Sequence, residues 1–94
     1  MNGWLDNHRE EILALAAKHG ARRVRVFGSM ARDEAREDSD VDLLVEFEPG
    51  RSMFDQAGLL LDLRETLHRE FDIATEQSLH WFIRDKILKE AKPL

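Results

Sequence analysis

No cysteine occurs in the 94 residues, so disulfides and thiolate-held metals are excluded at the outset. Positive charge is also in short supply. Fourteen Lys and Arg against nineteen Asp and Glu leave a formal net charge of −5, which argues against broad binding to nucleic-acid phosphates or anionic membranes. No apolar run approaches the ~20 residues that a bilayer-spanning helix needs. The opening stretch, residues 1–11, lacks the basic segment followed by an apolar one that marks a signal peptide. Internal repeats and low-complexity stretches are missing too. These absences describe an expected cytoplasmic protein with no membrane partner and no direct nucleic-acid contact.

What is present suffices for one small core. The chain is 43% hydrophobic and 35% charged, a composition that folds. At this length we expect a single domain, residues 1–94, hiding roughly 60–70% of its surface.

Periodicity divides the chain into alternating elements. Residues 5–19 predict a helix through Leu5, Ile12, Leu13, Leu15 and Ala16, with Gly20 as its stop. Residues 22–27 alternate as a strand with Val24 and Val26 on one face, ending at Gly28-Ser29. A short helical stretch is expected from about Met30 to Ala35. A second strand follows over Val41–Phe47, with Val41, Leu43, Val45 and Phe47 on one face and Asp40, Asp42, Leu44 and Glu46 on the other. Residues 53–69 predict a second long helix, in which Gly58 costs ~1 kcal/mol relative to alanine. Residues 71–75 make a third strand, with Phe71 and Ile73 opposite Asp72 and Ala74. A last helix is expected from about Ser78 through Leu79, Ile83, Ile87 and Ala91, with Pro93 after its end. The order predicts an α+β (α/β) sandwich: a small mixed sheet of three or more strands with helices mainly on one face.

Three features carry chemistry. Gly28-Ser29 sits where a strand turns toward a helix; glycine lets backbone approach a phosphate, and exposed N–H groups favour an anion. Gly-Ser is equally a common turn. Asp40-Val41-Asp42 opens an apolar strand, and residues i and i+2 share a face roughly 6.5–7 Å apart, a spacing from which carboxylates can lean onto hard cations. The plain alternative is a solvated turn, but aspartate is depleted in strands such as the one carrying Asp42. Asp72 is again an aspartate in a short β run. If the two strands are neighbours, three like charges face one pocket, which is costly without a cation.

These residues resemble a known signature. Gly28-Ser29, then ten residues from Met30 to Ser39, then Asp40-Val41-Asp42 is similar to the Gly-Ser, ten-residue, Asp-x-Asp pattern of the DNA polymerase β-like nucleotidyltransferase superfamily. Phe71-Asp72-Ile73 resembles its third acidic strand. The short chain and its tail look most like the minimal nucleotidyltransferase antitoxins that pair with HEPN-domain RNase toxins. The resemblance implies two Mg2+ ions held by Asp40, Asp42 and Asp72, and ATP phosphates on the Gly28-Ser29 turn. It also implies transfer of AMP to the toxin, often on tyrosine. Arg32 and Ser39 join Gly28 and Ser29 as expected nucleotide contacts, although Arg32 could equally form a surface ion pair within residues 32–38. One departure is visible: many relatives carry glycine where this chain has Asp33, which places a negative charge near the triphosphate.

Other residues are assigned less. The histidines at 8, 19, 68 and 80 lack metal-ligand spacing, three of them are expected on helices, and they receive no catalytic role. Trp4, Trp81 and Phe82 are expected to pack or to join an interface. Arg22, Arg23 and Arg25 suit a local partner or nucleotide contact, or simple strand-edge charge. With no residues left over for a second substrate domain, the acceptor is expected on a partner protein. The alternatives are an antitoxin that only binds its partner and a small-molecule transferase of the aminoglycoside type.

Overall fold

The computed structural model describes residues 3–94. Helix α1 spans Gly3–Lys18, strand β1 Ala21–Phe27, strand β2 Val41–Phe47, helix α2 Met53–Leu67, strand β3 Phe71–Ala74, helix α3 Trp81–Glu90 and strand β4 Lys92–Pro93. The strands form one mixed sheet in the order β3-β2-β1-β4. β1 runs antiparallel to both β2 and β4, while β2 and β3 are parallel, so β2–α2–β3 is a crossover unit.

The expected α+β sandwich is what forms. One face of the sheet is packed by α1 and α2: Leu5, Ile12 and Ala16 from α1 and Leu59 and Leu63 from α2 meet Val24, Val26, Val41, Leu43, Val45 and Phe71. Leu13, expected in the α1 stripe, is exposed. α2 starts with a capping box, Ser52 accepting from the Phe54 N–H and Asp55 accepting from the Ser52 N–H. It ends two residues before the expected limit because His68 adopts a left-handed φ of 51° and closes the C-cap. Gly58 has a packing reason. A Cβ there would press on the His19 imidazole, which needs that space to reach Asp62 Oδ2 at 2.6 Å.

The segment after β3 departs most from expectation. Residues Glu76–Ser78 form a separate 3-10 turn capped by Thr75, and α3 starts at Trp81 with the His80 side chain accepting from the Phe82 N–H. Leu79 therefore falls outside the helix. Beyond α3, Lys92 and Pro93 add the unexpected fourth strand along β1, an edge position that tolerates proline. Residues 75–91 thus carry the chain from the β3 edge to the β4 edge. Only His8 lies within a helix; His19, His68 and His80 sit at helix ends, where their side chains or backbones serve turns and caps.

The sheet's second face behaves differently. Leu44 is fully buried yet outside the main core, in register with Arg25 and Ala74. Arg25 is only 7% exposed and its Nη2 donates to Glu76 at 2.7 Å, so it is a buried ion-paired group rather than strand-edge charge. α3 has no fully buried residue.

Candidate active site

The site forms at the end of the sheet where β1 finishes and β2 and β3 begin. Phe27 pairs with Asp42 across β1 and β2, which brings the Gly28 turn to the start of β2. Asp42 pairs directly with Asp72 across the parallel β2–β3 ladder. Registered neighbours in a sheet project to the same side, about 4.8 Å apart at the backbone. Asp40 lies just outside β2, exposed, on the approach to the same face. The two strands expected to share an acidic face therefore do so.

Gly28 has a left-handed φ of 71°, and a Cβ on it would overlap Asp42 Oδ2. The turn is thus glycine for two reasons, backbone conformation and the close approach of a carboxylate. The helix expected after it does not form. Gly28–Met30 is a single 3-10 turn, followed by further turns through Asp33, which has a φ of 57°. A highly charged run with little to bury gives a helix no packing face, and the left-handed residue ends the right-handed path. An anion at this turn would meet individual N–H groups rather than a helix dipole. That left-handed φ is one that glycine adopts without steric cost and Asp33 does not.

The loop leading to Asp40 is held by contacts that periodicity does not reveal. The Ser39 hydroxyl oxygen accepts from the Arg36 N–H at 2.7 Å, so it closes a turn. Arg69 Nε and Nη2 donate to the carbonyls of Ser39 and Arg36, both at 3.0 Å, while its guanidinium lies 4.6 Å from the Trp4 ring centre. The Val41 N–H donates to the Glu70 carbonyl. Arg69 is thereby a positioning residue that only the folded chain exposes.

Arg32 forms the expected surface ion pair within its own charged stretch and reaches beyond it as well. It donates to Glu34, within its own charged stretch, and to Glu90 at the end of α3. Those hydrogen bonds, to Glu34 first and then to Glu90, hold its pKa above the ordinary value. Glu90 also accepts from the Gly28 N–H at 2.9 Å. Nothing in the local sequence singles out Glu90, since its partners lie about sixty positions away.

The electrostatics suit a divalent cation. Asp42 is pushed up to about 6, first by burial and then by the charges of Asp72 and Asp40, with Glu90 adding to the rise and Arg32 opposing it. Carboxylate oxygens are the donors that hard cations take. Among the described residues no three His, Asp or Glu side chains already converge as a closed cage. By contrast, a hollow of about 750 Å3 at the far end of the sheet is lined by Arg22, Glu46, Glu48 and Arg51. Those charges already pair with one another, Arg22 with Glu46 and Arg51 with Glu48.

The family model of the nucleotidyltransferase domain matches residues 5–94. The chain belongs to that family. This nucleotidyltransferase is 43% identical over 83 residues to a candidate protein adenylyltransferase, MJ0435, of Methanocaldococcus jannaschii, covering 88% of this chain and 89% of that one. It is 38% identical over 86 residues to the protein adenylyltransferase MntA of Thermococcus cleftensis, covering 92% and 84%. Among solved structures, a candidate minimal nucleotidyltransferase superposes with a TM-score of 0.83 at 54% identity, covering 96% of this chain and 92% of that chain. A toxin–antitoxin complex with AMP-PNP shares the fold, with a TM-score of 0.75 at 17% identity over 89% and 69% of the two chains. No helix among the described residues is long and apolar enough to cross a membrane.

Proposed function

We propose that this nucleotidyltransferase moves AMP from ATP onto a hydroxyl, tyrosine by preference, of a partner HEPN-type RNase toxin in the cytoplasm, and so acts as its antitoxin. The observation that carries this reading is the register of Asp42 with Asp72 beside a left-handed Gly28. The relatives support it. Two are named as protein adenylyltransferases, and a structural neighbour is a toxin–antitoxin complex holding an ATP analogue.

The reaction is an in-line displacement at the α-phosphorus: the acceptor oxygen bonds to it as pyrophosphate leaves. Asp40, Asp42 and Asp72 would hold two Mg2+ ions, which supply neutralisation of the triphosphate and polarisation of the acceptor. Gly28 and Ser29 present N–H groups to phosphate oxygens, and Arg32 is the nearby cation whose charge reaches Asp42. Ser39 contributes through the turn that presents Asp40, within reach of the nucleotide. Asp72, exposed at the sheet edge, is accessible to an acceptor on another protein and takes its proton. Such transfers rest mainly on positioning and charge, which a domain of this size can provide.

The test is incubation with α-labelled ATP, Mg2+ and the product of the neighbouring gene. Covalent label on that protein is expected. A stable complex without label would leave a binding antitoxin, and label only on an aminoglycoside would move the chain to the small-molecule class.

A further inference from the structure

The donors that a nucleotide phosphate needs are already in use. The Gly28 N–H and Arg32 Nη1 converge on Glu90 Oε1, at 2.9 and 3.1 Å, and Arg32 Nη1 also reaches Oε2 at 3.2 Å. Glu90 is well covered, its side chain 17% exposed, whereas that of Arg32 is 41% exposed. A backbone N–H at a glycine turn and a guanidinium make the same pair of contacts to a carboxylate as to a phosphate. The two anions cannot share those hydrogens.

Charge adds a second reason for exchange. Asp40, Asp42 and Asp72 stand at this end of the sheet, and the charge of Glu90 reaches Asp42 as well. A triphosphate entering beside all four meets repulsion, and Arg32 is the cation whose charge reaches Asp42 against it. Moving Glu90 away removes one negative charge and releases Arg32 Nη1, while Nε stays paired with Glu34. The scaffold permits it. α3 has no fully buried residue, and in its last turn Ile87, Leu88 and Glu90 are half-buried rather than locked into the core.

We propose that Glu90 is an internal stand-in for phosphate: its carboxylate holds the Gly28 N–H and Arg32 in the nucleotide-free chain and leaves them when Mg-ATP binds. This inference rests on the reading of Gly28 and Arg32 as nucleotide contacts. It makes Glu90 a determinant of nucleotide affinity that acts by competition, with a sign opposite to that of a supporting brace.

The experiment is calorimetric titration of the full chain with AMP-PNP in Mg2+, for wild type, Glu90→Gln and Glu90→Asp, with hydrogen exchange followed over residues 81–90. Glu90→Gln keeps an acceptor for the Gly28 N–H but drops the charge, and is expected to bind on the order of tenfold more tightly. Glu90→Asp retains the charge on a shorter arm and is also expected to bind more tightly than wild type, which keeps the test open if the glutamine variant does not fold. Nucleotide should speed exchange in α3 of the wild type. Unchanged or weaker binding by both variants, with wild type binding normally, would show Glu90 to be a brace and overturn the proposal alone. No binding by any of the three in Mg2+ would overturn the nucleotide site itself, and this inference with it.

Discussion

The two faces of the sheet divide the labour of the molecule. The face under α1 and α2 is closed: Leu5, Ile12, Leu43, Leu59, Leu63 and Phe71 are fully buried or nearly so. The opposite face carries Asp42 and Asp72, a buried Arg25 paired with a partly exposed Glu76, and an α3 whose first residues stand open, Trp81 at 79% and Phe82 at 74% exposure. The first face stabilises the fold by removing apolar surface from water. The second tolerates crowded like charge that the first could not. The proposed chemistry is thus placed on the side that contributes less to stability.

The sharpest way to break this division is at Asp42. Asp42→Asn is expected to reduce AMP transfer on the order of 10³-fold, as loss of a charge-stabilising group does in other sites, while circular dichroism shows the fold retained. A transfer rate near wild type would dismantle the site. The complementary change is Leu63→Ala, which should cost about 2–5 kcal/mol by urea unfolding because it opens a cavity in the closed face. Trp81→Ala on the open face should stay within about 0.5 kcal/mol. Equal losses would erase the contrast between the faces.

Asp33→Gly is a smaller test. Relief of a left-handed φ of 57° should stabilise the chain by about 0.5–1 kcal/mol, read as a higher urea midpoint.

The last test concerns pH. The folded chain holds the Asp42 proton up to about 6, against an ordinary 3.8. Between those values this group binds more proton in the folded state than in the unfolded one, so its own contribution to stability without metal falls as pH rises from about 4 to about 6. Asp42→Asn should flatten that decline and leave the metal-free protein the more stable of the two at pH 8. A difference in melting temperature between wild type and Asp42→Asn that stays constant over the same interval would contradict the assignment.

Much of this was legible before any coordinates. Val41–Phe47 alternates cleanly, so the side of Asp42 followed from period two alone, and the Gly-Ser spacing placed a turn beside it. The parallel pairing of β2 with β3 was the conditional step, and the crossover through α2 supplied it. What stayed hidden depends on partners distant in sequence. Glu90 meets Gly28 across sixty-two positions, Arg69 meets Ser39 across thirty, and β4 is two residues with no periodicity to display. The failed helix after Ser29 has a local cause that sequence could have supplied, because residues 32–38 offer almost nothing apolar to bury.

The overlap of Gly28 with Asp42 Oδ2 has a consequence for anyone wishing to redesign this enzyme. The backbone loop and the acidic strand interlock at a single point, so any side chain grafted onto position 28 evicts the carboxylate in the same stroke. New donor preferences must be built around that joint, through Ser29, Arg32 or the tail that touches them. Libraries that randomise position 28 would strain the turn and displace the Asp42 carboxylate together.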